Sequence, residues 1–380
     1  MMFQTVPALN SPSTAEHPRI GNIPVRNLWL LMLYASHLFR DLDTAKVSIE
    51  DNPDDIPDLV AEMLCRQVER RIQRNLSYGY QNREAILNRV RGRIDLLKTE
   101  RHGLLDRGKV ACRFEELTVN TARNRFVRAA LEEIASIVNR AELAHRCRSL
   151  AGSLKRMGVT GERPWRGEVS IDRFGRHDAA DQPMVAAAHL AFNLALPTET
   201  AGTRLLSSPD KEIHWVRKLY EKGVAGFYDV VLSQRGWRVD AGKSLNWRIE
   251  HQSPGISNIL PSMRTDIILS HVARAQRIVI DTKFTAILKR GWHREQTLQS
   301  GYVYQIYAYL RSQEGSGDLL WENATGLLLH PSVGESLNEA VVIQNHEIRF
   351  ATVDLGAPAR EIREQLLQIL EDNQDLESHV

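Results

Sequence analysis

Apolar residues recur at helical spacing through most of the first half of the chain. Leu28, Leu31, Met32 and Ala35 predict a helix from Ile23 to about Arg40. Leu59, Val60, Met63, Leu64, Val68 and Ile72 predict a second from about Ile56 to Arg74. The stretch from Tyr78 to Phe114 breaks this rhythm with short apolar pieces and Gly92, Gly103 and Gly108, and reads as strands and turns. Helices follow over about 121–139, 141–157 and 184–196, with a polar loop at 158–182 and a linker at Pro197–Arg204.

The second half opens on a well-marked helix. Ser208 suits its cap and Pro209 its first turn, while Trp215, Val216, Leu219, Tyr220, Val224, Phe227 and Val231 mark the face it buries. Strand-like pieces lie at Trp237–Val239 and Leu245–Ile249. Thr265–Leu269 and Ile278–Phe284, β-branched and apolar, read as an antiparallel pair. A helix over about 294–311, a strand at Gly326–His330 and a closing helix over 358–373 complete the order. The pattern predicts an α/β protein with an N-terminal arm (1–22), an N-terminal α+β domain (23–204) and a second domain (205–380) whose mixed sheet is flanked by helices. No internal repeat is visible.

Composition excludes several classes. At 43% hydrophobic the chain can bury a core, and its most apolar run, Leu28–Ala35, begins too late for a signal peptide and is too short to cross a membrane. A cytoplasmic location is expected. Cys65, Cys112 and Cys147 are odd in number and form no CxxC pair, so neither a disulfide framework nor a zinc site is indicated. Net charge is only +2, yet the cations cluster between Arg66 and Arg93: a nucleic-acid face is one reading, a solvated helix and hairpin the other. Gly242-Lys243-Ser244 lacks the earlier glycine of a P-loop and precedes a strand rather than a helix. The histidines, His293 and His330 included, show no metal spacing, and the acidic tail reads as a frayed helix end.

One constellation carries chemistry. The apolar run Ile278–Ile280 changes abruptly to Asp281-Thr282-Lys283, and strand alternation puts Asp281 and Lys283 on one face with Thr282 opposite. If the upstream strand pairs about a turn near 273–274, Asp266 lies opposite Asp281. Two carboxylates and an ammonium then meet at one sheet edge. Such a set suits metal-dependent phosphodiester hydrolysis: the acids hold Mg²⁺ and the lysine orients water or touches phosphate. Among the ten lysines only Lys283 has an acid two positions before it. Spacing alone fits a structural ion pair equally well. Glu221, beside the buried face of its helix, is a candidate third carboxylate or a solvated residue. Gln305 and Tyr309 share a helix face, from which Gln305 can reach the lysine or a phosphate.

The ordered segments "IPVRNLWLLMLYA", "VRGRIDLLKT", "FEELTVNTARNR", "LYEKGVAGFY", "LPSMRTDIIL", "IVIDTKF", "GYVYQIYAYL" and "LLLHPSV" resemble the McrC family, the cleavage subunits of 5-methylcytosine-specific McrBC restriction systems. The resemblance runs from Ile23 to about Leu370. It implies a PD-(D/E)xK restriction-endonuclease-like fold in the second domain, catalytic acids at Asp266 and Asp281, a catalytic lysine at Lys283 and a supporting glutamine at Gln305; Glu221 falls where the family pattern is less constant. It further implies Mg²⁺, double-stranded DNA as substrate, and a McrB-like AAA+ ring that hydrolyses GTP and on which the N-terminal half docks. The arm before Ile23 and the segment 158–182 depart from the family pattern. A non-catalytic activator of a partner GTPase and a stand-alone DNA or RNA nuclease of the same fold are the competing readings.

Overall fold

The computed structural model describes residues 19–20, 23–36, 53–165, 168, 180–201, 209–289, 295–334 and 336–371. Most of the arm and of the polar segment 158–182, the Ser208 cap, His293 and the acidic tail lie outside them. Arg19–Ile20 pairs with Ile23–Pro24.

Among the described residues of the first half, the major helices are α1 (Val25–Ala35), α2 (Ile56–Gln73), α3 (Ala122–Ile134), α4 (Ala141–Arg156) and α5 (Gln182–Ala201). Thr121 starts α3 by accepting the Asn124 amide at 3.1 Å, the N-cap its position suggests. Leu64, Val68, Leu131, Ala187 and Leu194 bury the shared face of these helices. The linker expected from Pro197 is helical through Ala201. Packing of Leu190, Ala191 and Leu194 in the core outweighs the proline's missing donor.

Between α2 and α3 stand β1 (Gly79–Leu87), β2 (Arg93–Ile94) and β3 (Val110–Thr118), an antiparallel sheet in the order β1-β3-β2. One piece read as strand or turn is a short helix, Leu96–Arg101, because the Asp95 carboxylate caps it by accepting the Lys98 amide at 3.0 Å. The arginine-rich run is laced with acids: Arg66 pairs with Glu62, Arg71 with Asp181, and Arg83 and Arg91 with Glu116. Cys65 and Cys147, remote in sequence, bring their Sγ atoms to 3.4 Å and remain free thiols.

The second half is a mixed six-stranded sheet flanked by helices, so the chain is a mixed α/β protein. Its strands are β4 (Arg238–Ala241), β5 (Ile267–His271), β6 (Gln276–Thr282), β7 (Thr325–Ser332), β8 (Asn338–Ile343) and β9 (His346–Asp354), in the order β8-β9-β7-β6-β5-β4. β6 is antiparallel to β5 and parallel to β7. Helices α6 (Pro209–Leu232) and α8 (Ala359–Glu371) cover one face, with Ile267, Leu269, Ile278 and Ile280 beneath them; α7 (Ser300–Arg311) covers the other, over Ile268, Val279 and Leu328. Three sequence expectations shift. The strand at 245–249 shrinks to Ser244–Leu245, because the Trp247 indole closes the following loop on the Pro261 carbonyl at 2.7 Å. α7 starts at Ser300, because Thr297–Leu298 pairs with Leu288–Lys289. The β8–β9 hairpin, absent from the sequence reading, turns at Gln344 and Asn345 with φ of 49° and 68°, a left-handed turn that this dipeptide signals weakly. Among the described residues no helix is long and apolar enough to cross a membrane.

Helix α1 packs on α6, and Leu31, Tyr34, Phe227 and Tyr228 share one core with residues as distant as Leu366. Gly226 makes this approach close: a Cβ there would lie 1.9 Å from the Tyr34 carbonyl oxygen. Gly226→Ala is therefore expected to destabilise the protein by about 3 kcal/mol in urea denaturation. An unchanged midpoint would mean that the two helices are not held in this contact.

Candidate active site

The β5–β6 register pairs Ile280 with Ile267, so the next step sets Asp281 across from Asp266. Alternation sends Ile278 and Ile280 toward α6, and Val279, Asp281 and Lys283 toward α7. Asp281 is 1% exposed and Lys283 6%, and the two form an ion pair at the strand end. The Lys283 ammonium also donates to Gln305 Oε1 at 3.1 Å and sits 4.9 Å from the centre of the Tyr302 ring. Gln305 reaches this far because α7 lies tightly on the sheet: a Cβ on Gly326 would come within 2.7 Å of Ile306.

A chain of hydrogen bonds then returns from α7 to the neighbouring strand. Gln305 Nε2 donates to the Tyr309 hydroxyl at 2.6 Å, and that hydroxyl donates to the Arg264 carbonyl at 2.8 Å, two residues before Asp266. The Asp266 carboxylate accepts at Oδ2 from both the amide and the hydroxyl of Thr282, each at 2.7 Å. Sequence reasoning placed Thr282 on the far face and gave it no role. Nothing in the periodicity reports that a main-chain amide at a strand end is left for a side chain.

The electrostatics tie these groups together. Burial pushes the Asp281 carboxyl up to about 6; the Lys283 ammonium opposes that rise and the Asp266 charge adds to it. Burial also raises Glu221 on α6, and the charge of Asp266 raises it further. Burial raises the Tyr309 hydroxyl, with Asp281 and Asp266 adding to the rise. The fold thus brings Asp266, Asp281, Lys283 and Gln305 to one strand end, with Glu221 approaching from the helix on the other face. His330 is buried nearby and bonds the Thr285 carbonyl at 2.8 Å through Nδ1. Gly242-Lys243-Ser244 forms a bend and a short strand, the geometry of no phosphate loop, and the Gly242 amide donates to the Asp266 carbonyl at 2.7 Å.

Among the described residues no group of three or more His, Cys, Asp or Glu side chains is arranged to enclose a metal. Two carboxylates nevertheless each keep an oxygen that no aligned donor occupies. Asp281 Oδ2 is buried and, though in ionic contact with Lys283, accepts no well-aligned hydrogen bond. Asp266 commits only Oδ2 to Thr282. An all-oxygen pair of this kind fits a hard divalent ion that keeps several of its waters, and does not fit a soft-ligand zinc centre.

The Asp281 value sets a pH dependence. Its folded-state value of about 6 lies above the ordinary 3.8, so the native state holds this proton more tightly than the unfolded chain. The resulting stabilisation is complete below the ordinary value and is lost as pH rises through the folded one. In buffer free of divalent cations, wild type is expected to lose roughly 2–3 kcal/mol relative to Asp281→Asn between acidic and neutral pH in urea denaturation. A difference that stays flat over this range would show that burial does not hold the proton on Asp281.

Comparison with known proteins identifies the family. A family model described as McrBC 5-methylcytosine restriction system component matches residues 11–181 and 212–321. The type IV methyl-directed restriction enzyme EcoKMcrBC of Escherichia coli (strain K12) is 25% identical over 354 residues, which is 92% of this chain and 98% of that protein. A half-complex of Thermococcus gammatolerans McrB AAA+ hexamers with bound McrC aligns at a TM-score of 0.39 and 14% identity, over 91% of this chain and 76% of that one. The family model spans most of the chain, and the protein belongs to the family of McrBC 5-methylcytosine restriction system components.

Proposed function

We propose that the chain is the DNA-cutting subunit of a restriction system directed at 5-methylcytosine, with a PD-(D/E)xK-type site in residues 205–380 and a partner-binding domain in residues 23–204. The observation that carries this reading is the Lys283 ammonium, held between the Asp281 carboxylate and Gln305 Oε1 at the strand end where Asp266 also sits. Burying an ammonium and an acid at the end of an apolar strand pair, with the half-buried Asp266 beside them, costs stability, and a site for cleaving a charged diester is a reason to bear that cost.

Asp266 and Asp281 would hold Mg²⁺, and Glu221 is assigned as the third acid, adding its charge from α6. When bound, the ion lowers the pKa of a water and offsets charge on the phosphate. The protein's own groups do the rest. Lys283 is placed to touch a phosphate oxygen or orient the attacking water. Gln305 fixes the ammonium, Tyr309 fixes Gln305, and the Arg264 carbonyl fixes Tyr309, so the lysine is held before substrate arrives.

The partner in this reading is a GTP-hydrolysing AAA+ ring like McrB. The sheet β1-β3-β2 offers the docking surface. Tyr80 and Leu117 face each other across its strands and are 74% and 57% exposed, and Leu96 and Leu97 on the adjoining short helix are 67% and 82% exposed. Apolar side chains exposed at both ends of one sheet are costly on a free surface and are what a protein interface buries.

Two experiments test the two halves separately. Plasmid carrying 5-methylcytosine, Mg²⁺, GTP and the AAA+ partner should support cutting by wild type, and Asp281→Ala or Lys283→Ala should lower it by at least about 100-fold while the partner's GTP hydrolysis stays stimulated. Full cutting by both variants would sink the nuclease assignment and leave the activator reading; robust cutting without partner or GTP would favour a stand-alone nuclease. Leu97→Asp with Tyr80→Asp should weaken partner binding by roughly tenfold or more, read by titration of GTPase stimulation. Unchanged stimulation would remove this sheet from the interface.

A further inference from the structure

We propose that Thr282 is a positioning residue for Asp266: its amide and hydroxyl clamp one carboxylate oxygen and so set where the other is presented. The proposal rests on the reading of Asp266 as a metal ligand.

The argument begins with strand geometry. Successive amides along β6 point to opposite neighbours. The Lys283 amide takes the Leu329 carbonyl on β7 at 3.0 Å, so the Thr282 amide faces the β5 side. There the regular ladder has ended, since its last pair is Ile280 with Ile267. The amide donates instead to Asp266 Oδ2 at 2.7 Å, and the Thr282 hydroxyl donates to the same atom at the same distance. Thr282 is 4% exposed, so water does not compete for either donor.

The Asp266 main chain is held as firmly as its side chain. The Gly242 amide donates to its carbonyl at 2.7 Å, and the preceding residue, Thr265, donates its amide to the Lys243 carbonyl at 3.0 Å. With the backbone fixed and Oδ2 clamped by two donors, the carboxylate has little freedom, and Oδ1 makes no hydrogen bond to the described residues. The residue between the motif's acid and lysine thereby orients the other acid of the site. Of its two donors only the hydroxyl depends on residue type, so Ser preserves the clamp, while Val, of nearly the same shape, removes half of it.

The test is Mn²⁺ binding to the full chain without DNA, measured by electron paramagnetic resonance of the free ion, alongside thermal unfolding. Loss of one outer hydrogen bond to a ligand costs about 10-fold or more in metal affinity. Thr282→Val should therefore bind about tenfold more weakly than wild type, and Thr282→Ser should recover most of that loss. A Val variant that unfolds while Ser binds like wild type is not enough, so Thr282→Ala is measured too and must show the same weakening. Wild-type affinity in either folded Val or Ala, with binding lost in Asp266→Ala, would overturn the proposal and keep the metal site. Wild-type affinity in both Asp266→Ala and Asp281→Ala would overturn the metal reading, and this proposal with it.

Discussion

The pairing of β5 with β6 is the constraint on which the site depends. Because side chains alternate at a period of two, a slip of one residue would turn Ile278 and Ile280 away from α6 and carry Asp281 and Lys283 to the wrong face. Both strands are buried along their length, so such a slip would also put apolar groups against the wrong core. The tight turn Val272–Arg274, closed by the His271 ring accepting the Arg274 amide, fixes the count of residues between the strands. Hydrophobic burial thus supplies the accuracy with which two acids are set across from one another.

That accuracy has an electrostatic counterpart. Asp281 lies where water is scarce, and its carboxyl is held near 6 even with an ammonium beside it. The ion pair alone does not offset the burial, as is common for buried charges. The chain of bonds from Lys283 through Gln305 and Tyr309 to the Arg264 carbonyl joins β6 to the segment that leads into β5. A network of this kind is stiff when complete and unfavourable when broken. Its members are therefore best understood as one unit.

Much of this was legible in the sequence, for identifiable reasons. The break from Ile278-Val279-Ile280 to Asp281-Thr282-Lys283 is abrupt, and alternation converts it directly into a shared face. Gln305 and Tyr309 sit one helical turn apart on a helix with clear periodicity. Other parts left no such mark. The clamp by Thr282 depends on where a ladder stops, which no side-chain pattern encodes. The β8–β9 hairpin hid behind a Gln-Asn turn, and the helix at Leu96–Arg101 rests on a single cap at Asp95. Pro197 suggested an end that tertiary packing overrode.

The placement of Glu221 shows how a distant contact sets a local one. The amphipathic pattern of α6 shows which residues are apolar but leaves the rotation of so long a helix loosely defined. Gly223 and Gly226 remove that freedom: Cβ atoms there would come within 2.8 Å of the Leu31 side chain and 1.9 Å of the Tyr34 carbonyl, so this stripe alone can face α1. At about 100° per residue, Glu221 then lies roughly 200° around the helix from Gly223. It points away from α1 and shares a side with Arg217, four residues earlier, and the charges of Asp266 and Arg217 both act on its carboxyl. A close approach between the first described helix and the middle of the chain thus decides which acid of α6 looks toward Asp266.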